Sequence, residues 1–185
     1  GICEGIINRG VPKNKVTLIP NVCDKKIFKP LKKGNLKNPK LINGLSERLS
    51  PDDFVAVYAG AHSLANGLDS VIDAAIEIEK RGYFNIKILF IGDGKLKSKL
   101  IERVKNKGLK NCIFIGLVNK IELSEILKNS VHIGLMVLSN LPEFYRGTSP
   151  NKFFDYLACG LPIINNYPGW LAGIIEKYNC GIVVK

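Results

Sequence analysis

Little in this chain of 185 residues is suited to holding a metal or crossing a membrane. No apolar run approaches the roughly 20 residues needed to span a bilayer, and the start shows no signal-peptide pattern. The only histidines are His62 and His132, and the cysteines are Cys3, Cys23, Cys112, Cys159 and Cys180. Their number is odd and no pair has C-x-x-C spacing. Buried, reduced thiols are therefore expected, and a zinc site is not. No D-x-D motif is present to hold a divalent ion. Asp52-Asp53 precedes the first sheet strand, at the end of a strand away from a ligand. An initiating Met is also lacking, so a fragment of a longer protein is expected.

Acidic residues are scarce as well, 16 against 27 Lys and Arg, which gives a net charge of +11. Residues 1–50 hold 11 of the basic residues and 3 of the acidic ones. The basic character thus belongs mainly to an entry segment containing Lys25, Lys26, Lys29, Lys32, Lys33, Lys37 and Lys40. Two readings stay open: a solvated lysine-rich loop, or attraction to an anionic membrane surface at about 1 kcal/mol per basic residue. Nucleic acid is not expected, because Phe28 alone interleaves with the lysines and stacking platforms need several aromatics.

What is present is a regular alternation. Phe54–Gly60 is a near-continuous apolar run, as for a strand buried on both faces. Helical spacing follows over 67–81, then strand Ile86–Ile91, helix 95–107, strand Cys112–Ile115, and a short helix whose Asn119 and Glu122 fit an N-cap arrangement. Val131–Val137, a helix from about Pro150, Leu161–Asn165, a helix over about 168–178 and Gly181–Val184 complete the pattern. Val16–Ile19 is a further strand candidate. The alternation predicts an α/β fold, Rossmann-like and doubly wound. It would have a mainly parallel sheet of about six strands, helices on both faces and right-handed crossovers. The predicted organisation is an entry segment and basic linker over 1–50 and one domain over 51–185.

Ligands bind such sheets outside the carboxyl ends of the strands, so the loops 60–67, 92–94, 116–119 and 138–151 are the expected site. The last is the most informative. Gly147-Thr148-Ser149-Pro150 has the form of a helix start, with small residues, a hydroxyl cap and then Pro. A helix N-terminus suits a phosphate, and Arg146 and Lys152 add positive charge beside it. Asp155, about one turn into an otherwise apolar helix, could accept hydrogen bonds from a ribose diol or simply favour the helix dipole.

Three stretches together resemble the C-terminal domain of GT-B glycosyltransferases of family 4, the group 1 transferases. They are Val16–Asp24 followed by Phe28-Lys29-Pro30; Ile91-Gly92-Asp93-Gly94-Lys95-Leu96; and Ser149-Pro150-Asn151-Lys152-Phe153-Phe154-Asp155-Tyr156-Leu157-Ala158-Cys159-Gly160-Leu161-Pro162-Ile163-Ile164. The resemblance implies a donor site for a nucleoside-diphosphate sugar. Asp155 would hold the ribose, and backbone around Thr148 and Ser149, near Asn151, would hold the diphosphate. The Gly116-Leu117-Val118 turn would touch the base, with Glu122 nearby. Gly60 and Gly92 would admit the phosphates to the first loops.

The chain departs from the family at Gly147, where a glutamate is usual, and at Ala61 and Asn66, where an Arg and a Lys usually serve the phosphates. Arg146, Lys152 and His62 are the candidates to replace that charge or its hydrogen bonds; His132 is expected to be a packed strand residue. The resemblance implies a retaining transfer that needs no metal or other cofactor. The donor would be a UDP-acetamido sugar and the acceptor a polysaccharide or lipid-linked one. Catalytic residues would lie on an N-terminal domain absent here. The location would be cytoplasmic, peripheral on the inner face of the cell membrane. A nucleotide-sugar epimerase of the same fold and a non-catalytic nucleotide-binding domain are the alternatives.

Overall fold

A computed structural model describes residues 2–30, 45, 47–145 and 148–184. After a short helix α1 (Ile2–Ile7), the chain builds β1 (Phe54–Ala59), α2 (Leu68–Lys80), β2 (Ile86–Ile91), α3 (Lys97–Asn106), β3 (Cys112–Ile115), α4 (Lys120–Asn129), β4 (Ile133–Met136), α5 (Pro142–Tyr145), α6 (Asn151–Ala158), β5 (Ile163–Asn165), α7 (Trp170–Tyr178) and β6 (Gly181–Val183). The strands form one sheet in the order β3-β2-β1-β4-β5-β6, with every pairing parallel. This is the expected doubly wound fold.

Alternation along β1 sends its side chains into two cores. Val55, Val57 and Ala59 pack with Phe153, Tyr156, Leu171 and Ile175 of α6 and α7 and with Ile126 and Leu127 of α4. Ala56 and Tyr58 pack on the other face with Leu68, Val71, Ile72 and Ala75 of α2 and with Leu100 and Val104 of α3. Those α2 positions recur at i, i+3, i+4 and i+7, so one stripe of the helix is apolar and is buried. Helix α4 starts as expected. The Asn119 side chain accepts from the Ile121 and Glu122 amides at 3.0 Å, and Glu122 accepts from the Asn119 amide at 3.1 Å.

Two differences from the sequence reading have clear causes. Val16–Ile19 forms no strand: Leu18 and Ile19 are 75% and 84% exposed, and no sheet edge pairs with them. The boundary at residue 50 cuts through a core rather than between cores, because Phe28, Leu45 and Leu49 pack in the cluster beneath α4 and α6. The Ile27 carbonyl also accepts from the Ser124 hydroxyl at 2.7 Å. The lysines of 31–44 lie outside the described residues. Among the described residues no helix is long and apolar enough to cross a membrane.

The chain leaves β1 toward β2 and β3, then returns to place β4 on the other side of β1. The strand order reverses at β1, the place beside which open α/β sheets bind their ligands. Helix α6 comes close to the sheet there because β4 carries Gly134. A Cβ at that position would stand 2.3 Å from the Tyr156 ring. We expect Gly134→Ala to destabilise the domain by about 1–3 kcal/mol, the usual cost of overpacking. Urea denaturation would measure it, and an unchanged midpoint would show that α6 can give way.

Candidate functional site

A cleft of about 450 Å³ lies over the carboxyl ends of β1 and β2, between α4 and α6. It is lined by Ala59, Gly60, Ala61, Ile91, Gly92, Asp93, Leu117, Val118, Leu123, Asn151, Lys152, Asp155 and Tyr156. The fold thus brings together Gly60, Gly92, Val118, Asn151, Lys152 and Asp155 of the expected site. Arg146 and Gly147 lie outside the described residues.

The floor is made of interlocked strand ends. The Gly60 amide donates to the Ile91 carbonyl at 2.9 Å, and the Gly92 amide donates to the Gly116 carbonyl at 3.2 Å. Gly92 has φ +129°, and a Cβ on it would stand 2.2 Å from the Gly60 oxygen, so only glycine fits. Lys97 closes the assembly from below, donating to the Gly92 carbonyl at 2.8 Å and the Ile115 carbonyl at 3.1 Å.

The wall is α6. Tyr156 fixes its position: the hydroxyl accepts from the Ala59 amide at 2.8 Å and donates to the Val57 carbonyl at 3.4 Å. Burial pushes this phenol far above its ordinary pKa, so it stays protonated. One residue earlier, Asp155 faces the cleft half-buried. Burial raises its pKa to about 6, with Lys120 pulling the other way. Three residues before Asp155, the Lys152 ammonium sits 3.8 Å above the centre of the Tyr58 ring. Burial lowers it to about 7. An acceptor and a base thus share one face of α6, near the uncapped amides of its first turn.

Several expected residues serve elsewhere. Helix α6 has no hydroxyl cap: Pro150 is the cap residue and no side chain bonds the first turn. Thr148 instead donates to the Phe144 carbonyl, and the Ser149 hydroxyl is buried without a partner. Their carbonyls are turned toward the protein, accepting from Trp170 Nε1 and from the Asn21 side chain. Asn66 folds back onto Ala61 O and Ser63 Oγ, both at 2.8 Å. Glu122 is taken up by its capping box.

His62 is the clearest correction. It is 0% exposed, packed among Tyr58, Phe90 and Phe114, and neither ring nitrogen has a partner. Burial lowers its pKa, and Lys97 and then Lys152 add to the effect against Asp93. A neutral, enclosed imidazole supplies no charge to the cleft. His132 lies just before β4, stacked on Phe54 at 5.0 Å, its Nδ1 accepting from the Val55 amide at 3.0 Å. The five cysteines are free thiols, with Cys112 and Cys159 buried.

Tyr156, Leu123 and Asp93 line the cleft and were missed as site residues. Tyr156 reads as one more apolar position of a buried helix, and only the closeness of Gly134 turns its hydroxyl onto β1. Asp93 lies within the 92–94 loop, where the glycines drew the attention.

Residues 45–185 match the model of the family described as glycosyl transferases group 1. Over 161 residues the chain is 26% identical to an alpha-galactosylglucosyldiacylglycerol synthase of Streptococcus pneumoniae, covering 87% of this chain and 40% of that protein. Over 153 residues it is 28% identical to an uncharacterized glycosyltransferase of Methanocaldococcus jannaschii, covering 83% and 34%. The chain therefore spans well under half the length of these curated relatives. Among solved structures, Anabaena HepE in complex with UDP superposes with a TM-score of 0.70 at 18% identity, over 98% of this chain and 47% of HepE. The C-terminal domain of the group 1 protein LpcC from Francisella tularensis gives 0.64 at 20% identity, over 88% and 80%.

The enclosure of His62 sets a pH signature. Its folded pKa lies below the unfolded value of about 6.5, so the unfolded state binds more protons below that pH and stability falls on acidification. His62→Leu removes this effect and an unsatisfied polar group that costs on the order of 1–3 kcal/mol. Chemical denaturation from pH 7.5 down to about pH 5 should show the variant more stable, by a margin that grows toward acid. A constant or negative difference would mean that His62 finds partners.

Proposed function

The chain belongs to the group 1 glycosyl transferases, and on that premise we propose that it is the donor-binding half of a retaining, metal-independent transferase using a UDP-sugar. The observation that carries this reading is the convergence of Asp155, Lys152 and the first-turn amides of α6 on a cleft floored by Gly60 and Gly92.

Each part of a nucleoside diphosphate has a counterpart there. The ribose diol offers two donors, and Asp155, with a pKa of about 6, is mainly ionised near neutral pH and accepts them. The diphosphate approaches the Gly60 turn, which carries no side chain of its own, and meets the helix N-terminus and Lys152. The exposed Leu117 and the half-buried Val118 beside it offer an apolar shelf and main-chain groups to the base. In the transfer step negative charge grows on the leaving diphosphate. Fixed amides already aimed at that position, joined by the Lys152 side chain, lower the barrier by preorganisation.

UDP as the nucleotide is supported by the ligands of structural neighbours: HepE was solved with UDP and with UDP-glucose, and the pneumococcal O-GlcNAc transferase GtfA with UDP and GlcNAc. An acetamido sugar as the transferred group, a polysaccharide or lipid-linked acceptor, and catalytic groups on a further N-terminal domain complete the proposal. The lysines of the entry segment would hold the protein to the inner face of the cell membrane.

Calorimetric titration with UDP, GDP and ADP tests the reading. We expect UDP to bind selectively, and equally well in EDTA. Asp155→Ala should weaken it by at least about tenfold, the equivalent of about 1.4 kcal/mol for lost charge-assisted hydrogen bonds. Equal affinities for wild type and variant would remove Asp155 from the site.

A further inference from the structure

Lys152 rests in an unusual place for a phosphate ligand. Its Nζ lies on the face of Tyr58, about 3.2 Å from where a Cβ on Gly60 would stand. The ring is a fixed platform: Tyr58 is fully buried, and its hydroxyl donates to the Ala61 carbonyl at 2.9 Å. Lysine stems are flexible. The ammonium is thus held at the edge of the floor that the proposed diphosphate would cover, on a side chain free to pivot about the start of α6.

The charges around it leave the ammonium uncompensated. From the loop after β1, His62 is neutral and is disfavoured as a cation by Lys152 itself. From the loop after β2 comes Asp93, and from α6 come Asp155 and the protonated Tyr156. Lys120, at the start of α4, acts on Asp155. Among the described residues no carboxylate forms an ion pair with Lys152.

We propose that Lys152, lying on the Tyr58 ring, is an amine held in reserve, which moves onto the diphosphate of a bound nucleotide and becomes fully protonated there, taking the proton it lacks from solvent. The inference rests on the donor-site reading and adds a proton-linked step to it. It also accounts for Ala61 and Asn66: the charge that the first loop lacks arrives from α6, across the cleft. The ring face favours the ammonium, but burial outweighs it and brings the group to about 7. A multiply charged phosphate within reach restores the ordinary lysine range. Between those two values the complex holds more protons than the free components. Binding then takes up a proton and weakens as pH rises.

The test is titration of this chain with UDP between about pH 7 and pH 9, above the range in which a phosphate itself titrates (pKa near 6). Running it in buffers of different ionisation enthalpy counts the protons. Wild type should take up about half to one proton per UDP near pH 8, and its Kd should rise by about tenfold or more across the range. Lys152→Met should bind about tenfold or more weakly at pH 7, with no uptake and a flat profile. Lys152→Arg, permanently charged, should retain binding with a flat profile. A merely structural role would not separate the two variants in this way. Uptake that persists in Lys152→Met overturns the inference alone, as does an NMR titration placing the Lys152 amine of the empty protein near 10. Absence of UDP binding by wild type overturns the donor-site reading together with it.

Discussion

The hydrogen bonds from Tyr156 to the backbone of β1 are the constraint on which the site depends. They fasten α6 to the central strand at the point where the strand order reverses, and they do so because Gly134 leaves room for the ring against β4. A protonated phenol with both its hydrogen-bonding roles filled is a rigid spacer. Asp155 and Lys152 sit on the same two turns of helix, so their distance from the Gly60 and Gly92 floor is set by that spacer. Loosening it would move both groups together, and the amides of the first turn with them.

Desolvation then tunes what the scaffold positions. The cleft lowers the charge on its lysine and raises the proton affinity of its aspartate, so both titrate near neutrality. Both shifts come from desolvation in the cleft, which sets this pair apart from a solvated surface pair. His62, enclosed in aromatic rings, keeps a further cation away from the same place. In the proposed donor site a nucleoside diphosphate would bring charge of the opposite sign to Lys152, supplied from α6 rather than from a first loop that carries Ala61 and Asn66.

The sheet and its helices were legible in the sequence because their physics is local. Near-continuous apolar runs announced buried parallel strands, and Asn119 with Glu122 announced α4. The end faults were small, a residue or two at each element. The Val16–Ile19 strand was not borne out because a strand exists only where another lends it hydrogen bonds, and no such edge is near. Val118, Asn151, Lys152 and Asp155 were found by their place relative to strand ends and a helix start. His62 was drawn in by the same rule, and Asn66 and Glu122 by the family resemblance, yet each side chain turns away. Their directions depend on partners distant in sequence or on local capping: an aromatic cage, a folded-back loop, a helix N-terminus.

Spacing and residue type by themselves determined the doubly wound class, the loops that flank the ligand end, and a helix presenting Lys152 and Asp155 on one side. These follow from periodicities of 2 and 3.6 that any segment carries within itself. Only the tertiary structure decided that Tyr156 is a fastening, that the α6 start has no hydroxyl cap, and that Lys152 lies on Tyr58 against the first loop. Those facts join residues nearly a hundred positions apart. Whether a polar atom meets water, a carbonyl or an aromatic ring is fixed by packing, which no local pattern encodes.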